Sequence, residues 1–258
     1  MEASSRIAGR PLLEAKGLVK RYNGRAVVDR LDYHVHPGEI VGLLGRNGAG
    51  KTTTFRMTVG MIDPNEGRVF FDGQDVTHLA MYKRAQRGMG YLSQEPSIFQ
   101  RLSVMDNLLA VLETITEYNR SQRVQQAELL LAQFGLVNQR DQLARTLSGG
   151  ERRKLEIARA LVTRPKLIML DEPFSGVDPK AVEDLQAEIL RLKRERGIAV
   201  LLTDHNVRET LRVTDRSYII HEGRRLAEGT PKQIIHDPQV RQAYLGSTFR
   251  SDEFDRGS

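Results

Sequence analysis

The run "GRNGAGKTTT", residues 45–54, constrains this chain more than any other stretch: three glycines, one lysine and three threonines in ten positions. It fits GxxxxGK[ST] with Gly45, Gly50, Lys51 and Thr52 in register. The apolar "EIVGLLG" before it reads as a strand, and the run from Thr52 to Met61 reads as a helix. In that setting, backbone N–H groups freed by the glycines join the helix N-terminus to form a cradle for phosphate oxygens. Lys51 is placed to reach the β- and γ-phosphates, and the Thr52 hydroxyl to ligate Mg²⁺. Arg46, Asn47, Gly48, Ala49 and Thr53 complete the predicted loop. The plain alternative is a Gly-rich turn between a strand and a helix.

At 258 residues, 40% hydrophobic and 28% charged, the chain suits one large α/β domain or a core with an insertion. It has no cysteine, which excludes disulfides, thiolate metal sites and cysteine nucleophiles. No apolar run approaches the roughly 18 residues that span a bilayer. The N-terminus "MEASSRIAGRPLLEAKGLVKR" is too broken by charge for a secretory signal. The net charge of +6 is spread out, with short clusters only at "ERRK" and "RLKRER". Neither is interleaved with aromatics, so direct nucleic-acid binding is not expected.

Residues 1–10 read as a flexible leader, 11–246 as the folded body and 247–258 as a tail. Strand patterns occur in "LLEAKGLV", "AVVDRLDYHVH" and "EIVGLL", with a hairpin-like "GRVFFDGQDV" after the glycine loop. From about residue 95 to 162 the pattern turns helical; Val124, Ala127, Leu131 and Phe134 share one face. Strands return in "KLIML", "IAVLLT" and "SYIIHEG", with a helix from about Pro179 to Arg196 between the first two. This alternation predicts a mainly parallel sheet covered on both sides, with a helical subdomain inserted into it.

"KLIMLDEP" is a buried strand ending in Asp171 and Glu172, where such a sheet presents ligands. Asp171 suits a water-mediated hold on Mg²⁺, and Glu172 suits a general base on the attacking water. "LSGGERRKLEIARAL" then opens a second helix at Ser148, Gly149 and Gly150. Its N-terminus is another anion site, although Ser148 and Glu151 also form a capping box. One triphosphate cannot readily occupy two helix N-termini of one domain, but two copies head to tail can each lend this helix to the other.

LSGGE together with GxxxxGKT and the LIMLDEP strand closely resembles the ATP-binding subunits of ABC transporters, over about Leu12 to Gly246. The resemblance implies an ABC-type P-loop NTPase core, α/β, with an N-terminal antiparallel β-subdomain and the inserted helical subdomain. It implies that Gln94 in "YLSQEP" senses Mg²⁺ and a membrane partner, and that His205 in "LLTDHN" contacts the γ-phosphate. Asp178, ending "SGVD", then belongs to a loop crossing a dimer interface, Tyr22 in "VKRYNG" stacks on adenine, and Phe99 lines a groove for a membrane subunit.

Among these subunits, "SIFQRLSV", "LDEPFSGVDP" and "TDHNVRETL" are most similar to the ATPase of lipopolysaccharide exporters. That implies a homodimer using ATP and Mg²⁺, bound to two integral membrane subunits on the cytoplasmic face of the inner membrane. Two positions depart from the pattern: Arg46 stands where proline is frequent, and Gln100 where a basic residue is expected. The alternatives are the ATPase of a branched-chain amino acid importer, which shares the "AYLG" ending, and a soluble ABC ATPase.

Overall fold

The computed structural model describes residues 9–95, 97–115 and 117–246. Most of the predicted leader and all of the predicted tail lie outside the described residues. In chain order the elements are β1 (Leu13–Tyr22), β2 (Arg25–Val35), β3 (Ile40–Leu44), α1 (Lys51–Val59), β4 (Glu66–Phe71), β5 (Gln74–Asp75), α2 (Met81–Gln86) and β6 (Met89–Leu92). The helical middle holds α3 (Val104–Leu112), α4 (Arg120–Gln133) and α5 (Gly149–Leu161). Then come β7 (Leu167–Asp171), α6 (Pro179–Arg196), β8 (Ala199–Asp204), α7 (Val207–Leu211), β9 (Arg216–His221), β10 (Arg224–Gly229), α8 (Pro231–His236) and α9 (Pro238–Val240). A π-helical turn over Arg241–Leu245 ends the described chain.

Six strands form the main sheet in the order β10-β9-β3-β8-β7-β6, parallel except for β10. Every residue of β3, β7 and β8 is buried, as continuous Val/Ile/Leu runs covered on both faces require. Their side chains alternate between two cores. Ile40, Val200, Leu202, Ile168 and Leu170 pack with α5, α6 and the helical middle. Val41, Leu43, Leu201, Leu167 and Met169 pack with α1 and a second, antiparallel sheet in the order β2-β1-β4-β5. The turn joining β1 to β2 is Asn23-Gly24, both at positive φ, the geometry that matches hairpin twist.

Strand β6 was absent from the sequence reading. It is four residues long and contains a glycine, with only Met89 and Leu92 fully buried, so it carries no periodic signal; pairing with β7 makes it a strand. Helix α1 ends at Gly60, whose left-handed φ of 83° terminates the ladder. Its last carbonyls are taken by a charged side chain from α2. Arg84, 1% exposed, donates to the carbonyls of Met57 (2.9 Å), Thr58 (2.5 Å), Thr77 (2.7 Å) and Leu79 (2.8 Å). Burial pulls its pKa down to about 10. A cation here satisfies the helix C-terminus and sits at the negative end of its dipole. Arg84→Ala would leave those acceptors buried without donors and is expected to cost about 3 kcal/mol of stability, measured by urea unfolding. A loss below about 1 kcal/mol would mean that other donors replace the guanidinium.

Candidate functional site

The carboxyl ends of β3, β7 and β8 lie side by side, with Leu44 opposite Asp204 and Asp171 opposite Thr203. The glycine loop leaves β3 at this edge and runs into α1. Two of its glycines are sterically required. A Cβ on Gly45 would stand 2.3 Å from the Ile220 carbonyl oxygen of β9. Gly50 adopts φ 103°, and a Cβ there would stand 2.7 Å from the Val27 carbonyl oxygen. Lys51 is 4% exposed; its Nζ donates to the carbonyls of Gly45 (2.7 Å) and Arg46 (3.1 Å), so its charge is held against the inner wall of the loop. Burial lowers its pKa, opposed by the carboxylates of Glu172, Asp204 and Asp171.

A cleft of about 520 Å³ opens over this loop, within the range of small-ligand sites. Gly48, Gly50, Lys51, Thr52, Thr53, Gln94, Glu172 and His205 line it, together with Val27, Asn47 and Ser175. The Glu172 carboxylate has two polar neighbours: Gln94 Nε2 donates to Oε2 at 3.0 Å, and His205 Nδ1 lies 3.5 Å from the same oxygen. Glu172 has φ 46°, a left-handed conformation uncommon for a residue with a side chain. Its N–H donates to the Thr203 carbonyl at 2.9 Å. Asp171 is 4% exposed and accepts from Thr203 Oγ1 at 2.8 Å; burial raises its pKa.

Other predicted residues lie elsewhere. Arg46 is exposed and faces a neighbouring groove with Arg25, His221 and Arg225. The side chain of Ala49 is buried under the loop. Tyr22 sits at the β1–β2 hairpin end, 47% exposed, with Lys20 Nζ 5.6 Å from its ring centre; it is not among the residues lining the cleft. Ser148, Gly149, Gly150 and Asp178 line a separate groove of about 650 Å³ between α5 and α6. Both helix starts are locally capped: Ser148 and Glu151 form the expected capping box, and Asp178 Oδ1 accepts the Ala181 N–H at 3.0 Å.

Phe99 is 48% exposed, with the guanidinium of Arg159 5.0 Å from its ring centre and Leu102 and Leu143 also exposed. The segment before it is tied to α5. Arg153 donates to the Ser93 carbonyl (3.3 Å), Ser97 N–H donates to Glu156 Oε1 (2.9 Å), and Arg159 donates to the Ser97 carbonyl (2.5 Å) and Oγ (2.7 Å). Asp204, a buried carboxylate beside His205, was missed in the sequence: a single Asp at a strand end reads as a solvated acid.

A glycine-loop cleft with a carboxylate, an amide and an imidazole gathered at its mouth defines a P-loop nucleotide-binding protein. A profile of the ABC transporter family matches residues 28–175, and the chain belongs to that family, as an ATP-binding subunit. A second profile, of the branched-chain amino acid ATP-binding cassette transporter, matches 224–250. The chain is 52% identical to the lipopolysaccharide export system ATP-binding protein LptB of Haemophilus influenzae, over 93% of this chain and 99% of that protein. It is 52% identical to the LptB of Escherichia coli K12 (92% and 98%), and 55% identical to a probable ABC transporter ATP-binding protein of Azorhizobium caulinodans (92% and 84%). Among solved structures it is similar to the ADP conformation of MJ1267, an ATP-binding cassette of an ABC transporter. That match has 28% identity and a TM-score of 0.82, and covers 93% of this chain and all of the other. A nucleotide-free ABC cassette aligns at 29% identity and a TM-score of 0.81, covering 92% of this chain and all of that one.

Glu172→Gln keeps the shape of the cleft mouth while replacing the carboxylate, the candidate proton acceptor, with a neutral amide. ATP affinity is expected to stay near wild type while hydrolysis falls roughly 10²- to 10⁴-fold, read by phosphate release. Turnover above about a tenth of wild type would remove Glu172 from the role of general base.

Proposed function

We propose that this chain is the ATPase subunit of a lipopolysaccharide-exporting ABC transporter, acting as a homodimer beneath two integral membrane subunits of the LptF/LptG kind. The observation that carries the reading is the convergence of Gln94 and His205 on Glu172 over the cleft of Lys51, in a chain matching LptB along nearly its whole length. The importer alternative rests on a C-terminal match over residues 224–250, whereas the LptB relatives match over 92–93% of the chain. No helix among the described residues is long and apolar enough to cross a membrane, which agrees with a peripheral place on the cytoplasmic face, reached through partners.

The donor set fits Mg²⁺: the Thr52 hydroxyl, the Asp171 carboxylate and the Gln94 side-chain oxygen are hard oxygen ligands. No cluster of three His, Cys, Asp or Glu exists among the described residues. A cation that keeps its waters and shares phosphate oxygens suits such a site, and bound there it neutralises phosphate charge. Lys51 and the loop N–H groups hold the triphosphate, Tyr22 stacks on the base, Glu172 accepts a proton from the attacking water, and His205 and Gln94 orient what lies between them. Ser148–Gly150 and Asp178 line a groove that shares no residue with the Lys51 cleft, so the N-terminus of α5 serves the partner copy's nucleotide. Two half-sites complete each other only on closure, so ATP favours the closed dimer by its differential affinity.

Mixing Ser148→Arg with Lys51→Ala subunits tests the shared site. Each variant alone is expected to be inactive, while mixed dimers regain one competent site and part of the turnover. Heterodimers that form and show no recovery would rule out nucleotide sharing between copies.

Phe99 tests the transporter assignment. An exposed aromatic anchor entering a partner's pocket costs about 2 kcal/mol or more on truncation. Phe99→Ala is expected to leave the isolated subunit folded and hydrolysing ATP, while weakening co-purification with the membrane subunits and slowing lipopolysaccharide release from reconstituted vesicles. A lowered melting temperature and impaired ATPase with normal assembly would instead make Phe99 a packing residue.

A further inference from the structure

Three consecutive residues, the last two of β8 and the one after it, bear on the site. Thr203 supports Asp171 and the Glu172 peptide, and His205 reaches Glu172. Between them, Asp204 is 0% exposed and its carboxylate is divided between two turns. Oδ2 accepts the N–H of Phe174 at 3.0 Å, and Oδ1 accepts the N–H of Asn206 at 2.8 Å. His205 Nδ1 also lies 3.5 Å from Oδ1. Phe174 is two residues beyond Glu172, and Asn206 is the residue after His205. Asn206 in turn caps α7 by accepting the Glu209 N–H.

The first of these turns has something to resist. Glu172 holds a left-handed φ of 46°, and such a conformation in a residue bearing a Cβ persists only where its surroundings over-determine it. Its own N–H is tied to Thr203, and the next free N–H along the turn, at Phe174 beyond Pro173, is tied to Asp204. A buried carboxylate held by backbone donors from two loops costs desolvation that a packing residue would avoid. Burial raises the pKa of Asp204, and the two N–H bonds oppose that rise.

We propose that Asp204 is a positioning residue for hydrolysis: one carboxylate, shared between the turn after β7 and the turn after β8, sets the separation of Glu172 and His205. The proposal rests on the reading of those two residues given above. Movement of either turn alone breaks a bond to a buried charge, so the two move together or not at all.

The isosteric Asp204→Asn tests this, because an amide offers one acceptor oxygen and must turn its NH₂ toward one of the two donors. Asp204→Ala removes both bonds. Turnover per folded molecule is expected to fall about 10- to 100-fold in the Asn variant, with KM for ATP within about threefold of wild type. Hydrogen exchange should accelerate at least about tenfold at one of the Phe174 and Asn206 amides in the Asn variant and at both in the Ala variant, with the Val41 amide in β3 unchanged. Should the Ala variant fail to fold, the Asn variant carries the test. A lowered melting temperature with normal turnover per folded molecule overturns the proposal. Exchange needs no catalysis, so it separates this proposal from the functional reading. If wild-type protein hydrolyses no ATP, the reading of Glu172 fails, and unchanged exchange at both amides in Asp204→Asn still overturns the clamp.

Discussion

The parallel register of β3, β8 and β7 is the constraint on which the rest depends. Because Leu44 pairs with Asp204 and Asp171 with Thr203, three chain segments leave the sheet at one level: the glycine loop, the Asp171–Glu172 turn and the His205 turn. Strand side chains alternate faces, so a slip of one residue in β8 would exchange its two hydrophobic sets, Val200 and Leu202 against Ala199 and Leu201. The same slip would withdraw Thr203 from Asp171 and Asp204 from Phe174. Burial on both faces therefore fixes more than stability. It sets the ångström-scale placement of polar groups that contribute little to the core themselves.

Around that edge, the two cores divide the work. One joins the main sheet to the antiparallel sheet and encloses α1, so the glycine loop is built against packed backbone on both sides. The other joins the sheet to α3, α4, α5 and α6 and carries Ser148, Gly149 and Gly150 in a groove separate from the cleft. Arg84 braces the far end of α1, whose near end holds Lys51 and Thr52. A helix fixed at its C-terminus by a buried cation and at its N-terminus by a sterically required glycine has little freedom to shift the loop it begins.

The glycine loop, the strand ending in Asp171 and Glu172, α6 and the helical middle were legible in the sequence. There, residue type is restrictive: glycines that tolerate no Cβ, apolar runs, and a proline opening a helix. The resemblance to ABC subunits supplied Gln94 and His205, which no local rule singles out; their meaning lies in sharing one carboxylate oxygen across the sheet edge. Asp204 and Arg84 were illegible for a common physical reason. Each is charged, and single-chain pattern reading assigns charge to the surface. Only tertiary placement reveals that backbone groups of other elements satisfy them. Asn23-Gly24 did carry a readable hairpin signal. It places Tyr22 at an exposed strand end, and the adenine contact rests on the resemblance alone.

The bonds from Arg153, Glu156 and Arg159 to residues 93–97 give α5 a mechanical character. They pin the helix near its middle to the segment that ends at Phe99, while its Ser148 end is tied by side chains alone, Gln139 Nε2 to Glu151 Oε1 (2.8 Å) and Lys154 to Asp184 (3.4 Å). From Glu156 to Ser148 is eight residues, a lever arm of about 12 Å at the rise of an α-helix. A tilt of roughly 5° at the pinned end therefore sweeps the glycines at its tip by about 1 Å, comparable to the misplacement that costs a catalytic group two orders of magnitude in rate. A small displacement of the Phe99 surface carried rigidly through these bonds would therefore reach the tip of α5 without any unfolding between them.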